Sequence, residues 1–120
     1  MARLAGKISF KIDGEIQFAK GAFDYNLGRD KKEMIVGHDT VHGHKSIPQV
    51  PFIEGKITDR GDLDLVALMD SEDVTITLDL ANGKIISLRG AVYAADGGVN
   101  TEEAEVEVRF EGLSAEEIRA

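Results

Sequence analysis

The chain has 120 residues, 14 Lys+Arg against 22 Asp+Glu for a formal charge of −8, and no cysteine. This length suits a single domain over 1–120, with about two-thirds of the unfolded surface buried on folding. The acidity excludes a protein that grips nucleic acid by its phosphates or a polybasic membrane-surface protein, and the missing thiols exclude disulfide scaffolds, thiolate zinc sites and cysteine nucleophiles.

The first expected element is a hairpin. In 7–12, Ile8, Phe10 and Ile12 alternate with Lys7, Ser9 and Lys11. Asp13-Gly14 is a favoured two-residue turn, and 15–19 resume the alternation through Ile16 and Phe18. Residues 20–48 then lose any period. They hold Gly21, Gly28, Gly37, Gly43, all three histidines and the run Arg29-Asp30-Lys31-Lys32-Glu33, with Met34, Ile35 and Val36 as the apolar exception. So long an irregular stretch is uncommon in a compact domain and is usually functional. It reads as a long protruding hairpin or loop that becomes ordered against something else.

A short helix is expected around Leu63 to Met69, capped by Asp62 or Asp64. Residues 74–80 alternate Val74, Ile76, Leu78 and Leu80 with Thr75, Thr77 and Asp79. Asn82-Gly83 is a second hairpin signal before a strand at 84–89, and a further short strand is expected at 91–95. In 103–111, Ala104, Val106, Val108 and Phe110 oppose Glu103, Glu105, Glu107, Arg109 and Glu111. Ser114 followed by Glu117 reads as a capping box for a short helical turn in a C-terminal tail over 113–120, with little apolar surface to hold it down. The fold class is mainly β: an antiparallel β-sandwich or half-barrel with one short helix and a long protruding loop.

The candidate chemistry is thin. His38, His42 and His44 invite a zinc site, since imidazoles two apart on a strand share a face. A cupin-like site also needs a glutamate a few residues on; the first here is Glu54, beyond Pro48 and Pro51. The plainer reading is a polar loop with histidines facing a partner. Arg60-Gly61-Asp62 matches an integrin-binding tripeptide, but a turn and a helix cap account for Gly61 and Asp62. No phosphate-cradling glycine pattern and no nucleophile elbow occur. The acids between Glu102 and Glu111 read as the solvated face of a strand rather than an acid/base pair. No stretch reaches the ~20 apolar residues of a membrane span, and MARLAGKISF lacks the apolar run of a signal peptide. No catalytic residue, metal or cofactor is expected.

One long motif is specific. Pro48-Gln49-Val50-Pro51-Phe52-Ile53-Glu54-Gly55, followed by Ile57-Thr58-Asp59-Arg60-Gly61-Asp62-Leu63-Asp64-Leu65, resembles the signature of tail tube proteins of Mu-like contractile-tailed phages. Asp24-Tyr25-Asn26-Leu27-Gly28, Val41-His42-Gly43, Leu80-Ala81-Asn82-Gly83-Lys84 and Val108-Arg109-Phe110-Glu111-Gly112 fit the same pattern, so the resemblance runs from about residue 4 to residue 117. His38 and His44 stand outside it.

The resemblance implies a β-sandwich subunit that forms hexameric rings, stacked into a hollow tube through which the genome leaves. Inner-sheet strands of six subunits would join into one barrel, as in type VI secretion and pyocin tubes. The loop at 28–47 would reach the neighbouring ring, with Arg29, Asp30, Lys31, Lys32, His38, His42 and His44 as its candidate contacts. Implied partners are further copies of the chain, the sheath, the tape measure, the baseplate and the tail terminator. The implied setting is the virion tail, assembled in the host bacterial cytoplasm, with no membrane role and with DNA passing without specific binding. An acidic wall would repel DNA, and Glu105, Glu107 and Asp79 are the candidate lumen or ring-edge acids. The sequence leaves open which polar face lines the lumen. The alternatives are a tube subunit of a phage-derived bacteriocin or injection particle, a non-polymerising β-sandwich adaptor, and a small metal-dependent sandwich enzyme.

Overall fold

The computed structural model describes residues 8–119. Lys7, the expected outward residue at the start of the first strand, lies outside them. The chain opens with the hairpin of β1 (Ser9–Ile12) and β2 (Glu15–Gln17). Asp13 (φ 50°) and Gly14 (φ 83°) both take left-handed backbone, which is the turn that matches strand twist. This turn fixes a parity that the alternation alone hides. Lys11 pairs with Ile16 and Phe10 with Gln17. Cross-strand partners share a face, so Gln17 points inward beside Phe10 while Ile16 points out. Ile16 and Phe18 are 55% and 54% exposed.

The irregular region is more ordered than its sequence suggests. Residues 19–26 form β3 (Ala19–Asn26), kinked by a bulge between Lys20 and Asp24. Beyond it, β4 (Lys31–Val36) and β5 (Val41–Ile47) form a separate two-stranded hairpin, the arm. The chain returns as β6 (Phe52–Thr58), which pairs with β3.

The helix α1 spans Leu65–Met69, and its cap is Asp64, whose carboxylate accepts from the Ala67 N–H at 3.1 Å. Asp62 instead pairs with Arg60 at 2.9 Å. β7 (Val74–Asp79) leads into β8 (Lys84–Tyr93). Their connection is not the two-residue turn that Asn82-Gly83 suggests. Gly83 N–H bonds to Leu80 O and Leu80 N–H to Lys84 O, leaving only Gly83 left-handed, as in a three-residue loop with a bulge. The two strands expected at 84–89 and 91–95 are one, bent at Gly90 (φ 62°).

β9 (Val99–Asn100) is short. β10 (Glu105–Glu111) starts two residues later than the expected 103, because Glu103 and Ala104 (φ 52°) belong to the preceding turn and are exposed. The C-terminal segment is not a helical turn or a frayed tail. It is β11 (Ser114–Arg119), paired with β8 from Ser114↔Arg89 to Arg119↔Lys84. The open edge of β8 outweighs the local capping box, since tertiary pairing overrides weak propensity.

One antiparallel ladder runs β2-β1-β7-β8-β10-β6-β3, with β11 added to β8 and β9 to β10. It does not close. β8 pairs with β11 up to Arg89 and with β7 up to Ala91, then with β10 at Val92 and Tyr93, so the ladder doubles into two layers. The first layer is β2-β1-β7-β8-β11; the second is β10-β6-β3 with β9 and the end of β8. Between them lie Phe10, Ile76, Leu78, Ile86 and Leu88 from the first layer and Ile53, Ile57, Val106, Val108 and Phe110 from the second. Phe10 joins the layers, 4.9 Å from the Phe23 ring and 6.2 Å from Phe110. Each such buried side chain contributes about 1.5–3 kcal/mol. The molecule is nonetheless extended. It exposes 7970 Å², where a compact chain of this mass exposes roughly 6,300 Å².

Candidate functional site

The arm is rooted by residues of the long motif. Gln49 bridges both sides of the root: its amide donates to Arg29 O at 3.1 Å, and its carbonyl accepts from Asn26 Nδ2 at 3.5 Å. Pro51 is buried against Gly28, where any Cβ would come within 2.7 Å of the proline ring and φ is +74°. Gly55 has a packing role of the same kind. The Phe23 ring lies 2.6 Å from where a Cβ would stand, so a side chain at 55 would drive Phe23 off Phe10.

Among the described residues, the arm packs on nothing but itself. All of β4 is exposed, and in β5 only Gly43 and Ile47 are half-covered. One face carries Lys32, Met34 and Val36 from β4 opposite Ser46, His44 and Val41 from β5. Met34 is 60% and Val36 72% exposed. The other face carries Lys31, Glu33 and Ile35. His38 sits in the tip turn, His44 faces Met34, and the His42 ring lies against Gly37. Among the described residues, no three His, Asp or Glu come together in an arrangement that could hold a metal ion.

The candidate acids do not form one face. Glu105 and Glu107 alternate with buried Val106 and Val108 and point out of the second layer, whereas Asp79 alternates with buried Leu78 and points out of the first. The outer face of the second layer holds Asp24, Glu54, Glu105, Glu107 and Glu111 against Lys20, Lys56 and Arg109, an acidic excess. Arg109 is clamped there. It donates to Glu111 at 2.9 Å and Glu54 at 2.8 Å, and its guanidinium carbon is 4.0 Å from the Phe52 ring centroid. These carboxylates hold its pKa above the ordinary arginine value. Lys56 lies 3.8 Å from Glu105, leaving Glu107 without an ion-pair partner among the described residues. Burial, reinforced by the charges of Glu107 and Asp96, raises the Tyr93 hydroxyl, which donates to Glu107 O at 2.6 Å. The outer face of the first layer is balanced instead. Lys11 pairs with Asp79 and Arg89 with Glu116, both at 3.7 Å, among Ser9, Thr75, Thr77 and Ser114.

Two further features are apolar or unpaired. Among the described residues, β2 and β11 are open edges of the first layer. At the end of the second layer opposite the arm root, Phe18 stands exposed with the Arg60 guanidinium 5.4 Å above its ring. Arg60 is held in place by Gln17, which accepts from it at 2.7 Å, and by Asp62.

The sequence profile of the family described as "Phage tail tube protein" matches residues 1–117. The chain belongs to the phage tail tube family. Two solved structures show the same fold for this tail tube chain. One is titled as the sheath/tube terminator of an extracellular contractile injection system (PVC) in the extended state, with 14% identity, a TM-score of 0.62 and 93% of each chain covered. The other is titled as the anti-feeding prophage cap, a tube-terminating cap, with 11% identity, a TM-score of 0.62, and 94% of this chain and 88% of that one covered. No curated protein matches in sequence. Family membership makes the tail tube chain a structural protein rather than an enzyme, and a component of a virion or tail particle.

Sequence reasoning missed Ile16, Phe18 and Val41 as exposed apolar residues of the tail tube chain. The signal for the first two was present. A two-residue turn pairs residues whose numbers sum to an odd value, so even-numbered Ile16 cannot share a face with even-numbered Phe10 and Ile12.

Proposed function

We propose that the chain is the repeating subunit of a contractile-tail tube, in which hexameric rings stack into a hollow conduit for DNA ejection. One observation carries this reading: the β4–β5 hairpin leaves the body with both faces exposed and with Met34, Ile35, Val36 and Val41 uncovered. Apolar surface of this kind on a small protein marks an interaction site. The open β2 and β11 edges support ring formation, because an unpaired edge is a template for strand addition by another chain. In this reading 28–47 is the inter-ring segment, and the sheath, tape measure, baseplate and tail terminator meet the remaining tube surfaces. Assembly takes place in the cytoplasm of the bacterial host.

The outer face of the second layer is the lumen wall in this reading, with Glu105 and Glu107 on it. Its acidic excess favours that choice over the balanced face of Asp79, which points the other way. DNA carries one negative charge per ~1.7 Å of duplex, so an acidic wall keeps it from sticking. A ring of six carries roughly −48 formally, a self-repulsion that apolar burial and shared strands must offset. Electron microscopy of the purified chain is the test: stacked rings with a channel support the reading, and a monodisperse monomer at all concentrations favours a non-polymerising adaptor. In the particle, Glu105→Lys with Glu107→Lys should leave tubes assembled and slow ejection; unchanged ejection kinetics would remove these residues from the lumen.

The fold shared with terminators of extracellular contractile injection systems favours one second reading, a tube subunit of a bacteriocin or injection particle. Particles that carry DNA-filled heads support the phage tube, and headless particles support the second reading.

A further inference from the structure

The stacking reading leaves open what the arm touches on the next ring, and the body offers a matching surface. β3 runs from Phe18 toward the arm root, and β6 runs back to Thr58, whose N–H bonds to Phe18 O at 2.7 Å. Phe18 therefore stands at the pole opposite the arm. Ile16 lies two residues away on the open β2 edge, turned outward by the hairpin parity. Ile16 is exposed, and Phe18 is half-exposed with the Arg60 guanidinium over its ring. The rim around them has an acidic excess: Asp59, whose N–H bonds to Ala104 O, and the exposed turn acids Glu102 and Glu103, against Lys20, whose ammonium donates to Glu103 O. Arg60 over Phe18 is already paired with Asp62.

The arm carries the complementary sequence of properties. Its root is cationic, with Arg29, Lys31 and Lys32 against Asp30. Its outer half is apolar, with Met34, Val36 and Val41 on the same face as Lys32. A six-residue strand reaches ~20 Å, long enough to set Lys32 against the rim acids of a neighbour and the outer half of the arm over Ile16 and Phe18.

We infer that the arm of one copy docks on the Phe18 pole of a second copy. The Met34–Val36–Val41 face covers Ile16 and Phe18, and Lys32, on that same face, meets Asp59, Glu102 and Glu103. Donor and acceptor surfaces lie at opposite ends of the chain, so the contact is heterologous and repeats without closing. That is the symmetry a stack of rings requires. The inference rests on the stacking reading and names the surface that reading lacks.

The absence of cysteine makes the test clean. Copies carrying Val36→Cys are assembled with copies carrying Ile16→Cys and treated with a short bismaleimide. A parallel mixture pairs Val36→Cys with Val66→Cys on the exposed face of α1. Cross-linked dimer is expected in the Ile16 mixture and not in the Val66 mixture. In the full chain, Phe18→Asp and, separately, Val36→Asp should each give rings that no longer stack, with circular dichroism unchanged. Lys32→Glu should also weaken stacking, and Glu102→Lys with Glu103→Lys in the same chain should restore it. Stacks that persist in both aspartate variants, or cross-linking to position 66 as readily as to 16, would overturn the docking site while leaving the tube intact. If the unaltered chain forms no stacks, the stacking reading fails, and the docking site falls with it.

Discussion

The body and the arm use their apolar residues in opposite ways. The body seats Phe10, Ile53, Leu88 and Phe110 between two layers, each under 2% exposed. The arm places Met34, Ile35, Val36 and Val41 in water, supported by one hairpin ladder and the Gln49 clamp at its root. An isolated two-stranded hairpin is marginal in water. The body's stability is therefore its own, while the arm's order is completed by whatever it meets. The same division separates the two ends of the second layer, one with a clamped root and the other with an uncovered Phe18.

Substitutions can sharpen this contrast, beginning with the largest expected effect on folding. Phe110→Ala removes a fully buried ring that touches Phe10 and Tyr93, and should destabilise the body by about 3–5 kcal/mol, read as a shift of the urea midpoint. Gly55→Ala should cost about 1–3 kcal/mol, because the new Cβ meets the Phe23 ring. Adding Phe23→Leu should recover some of that loss in the same titration, and no recovery would mean that Phe23 is not the obstacle. Val36→Asp with Val41→Asp in the arm should change the urea midpoint by less than about 0.5 kcal/mol, yet abolish tubes seen by electron microscopy. A large stability loss from that pair would erase the distinction between body and arm.

The smallest effect concerns β11. Lys84 donates to Glu117 at 2.7 Å and lowers the glutamate pKa. A depressed carboxylate adds stability above its unfolded pKa and loses it as pH falls through the folded value. Glu117→Gln should therefore weaken the chain slightly at neutral pH. The urea midpoints of variant and parent should converge as pH drops below the ordinary glutamate value of 4.5. Parallel midpoints at every pH would show that the pair does not hold β11.

What could be read from the sequence follows burial. Strands with one face in the core keep a period of two, so 74–79 and 105–111 were legible from Ile76, Leu78, Val106 and Val108. The arm has no buried face and hence no period to find, although its protrusion was visible in the lack of one. β11 was hidden because Ser114 and Glu117 satisfy a local helix signal, while the open edge of β8 that recruits them is a tertiary fact. The candidate lumen acids were found as outward residues, but their division between two faces depends on which layer each strand joins. Alternation within a strand does not encode that.

β8 also has a mechanical consequence. Up to Ala91, just past the Gly90 bend, it is sewn into one layer, and at Val92 and Tyr93 into the other. A shear that slides the layers past each other must peel this strand from β7 and β11 or from β10, which is harder than separating surfaces held only by greasy contact. If the proposed tube is driven forward by a contracting sheath, load applied to one wall of the subunit passes to the other through a covalent chain. Gly90, the bend in that strand, is where the strain should concentrate.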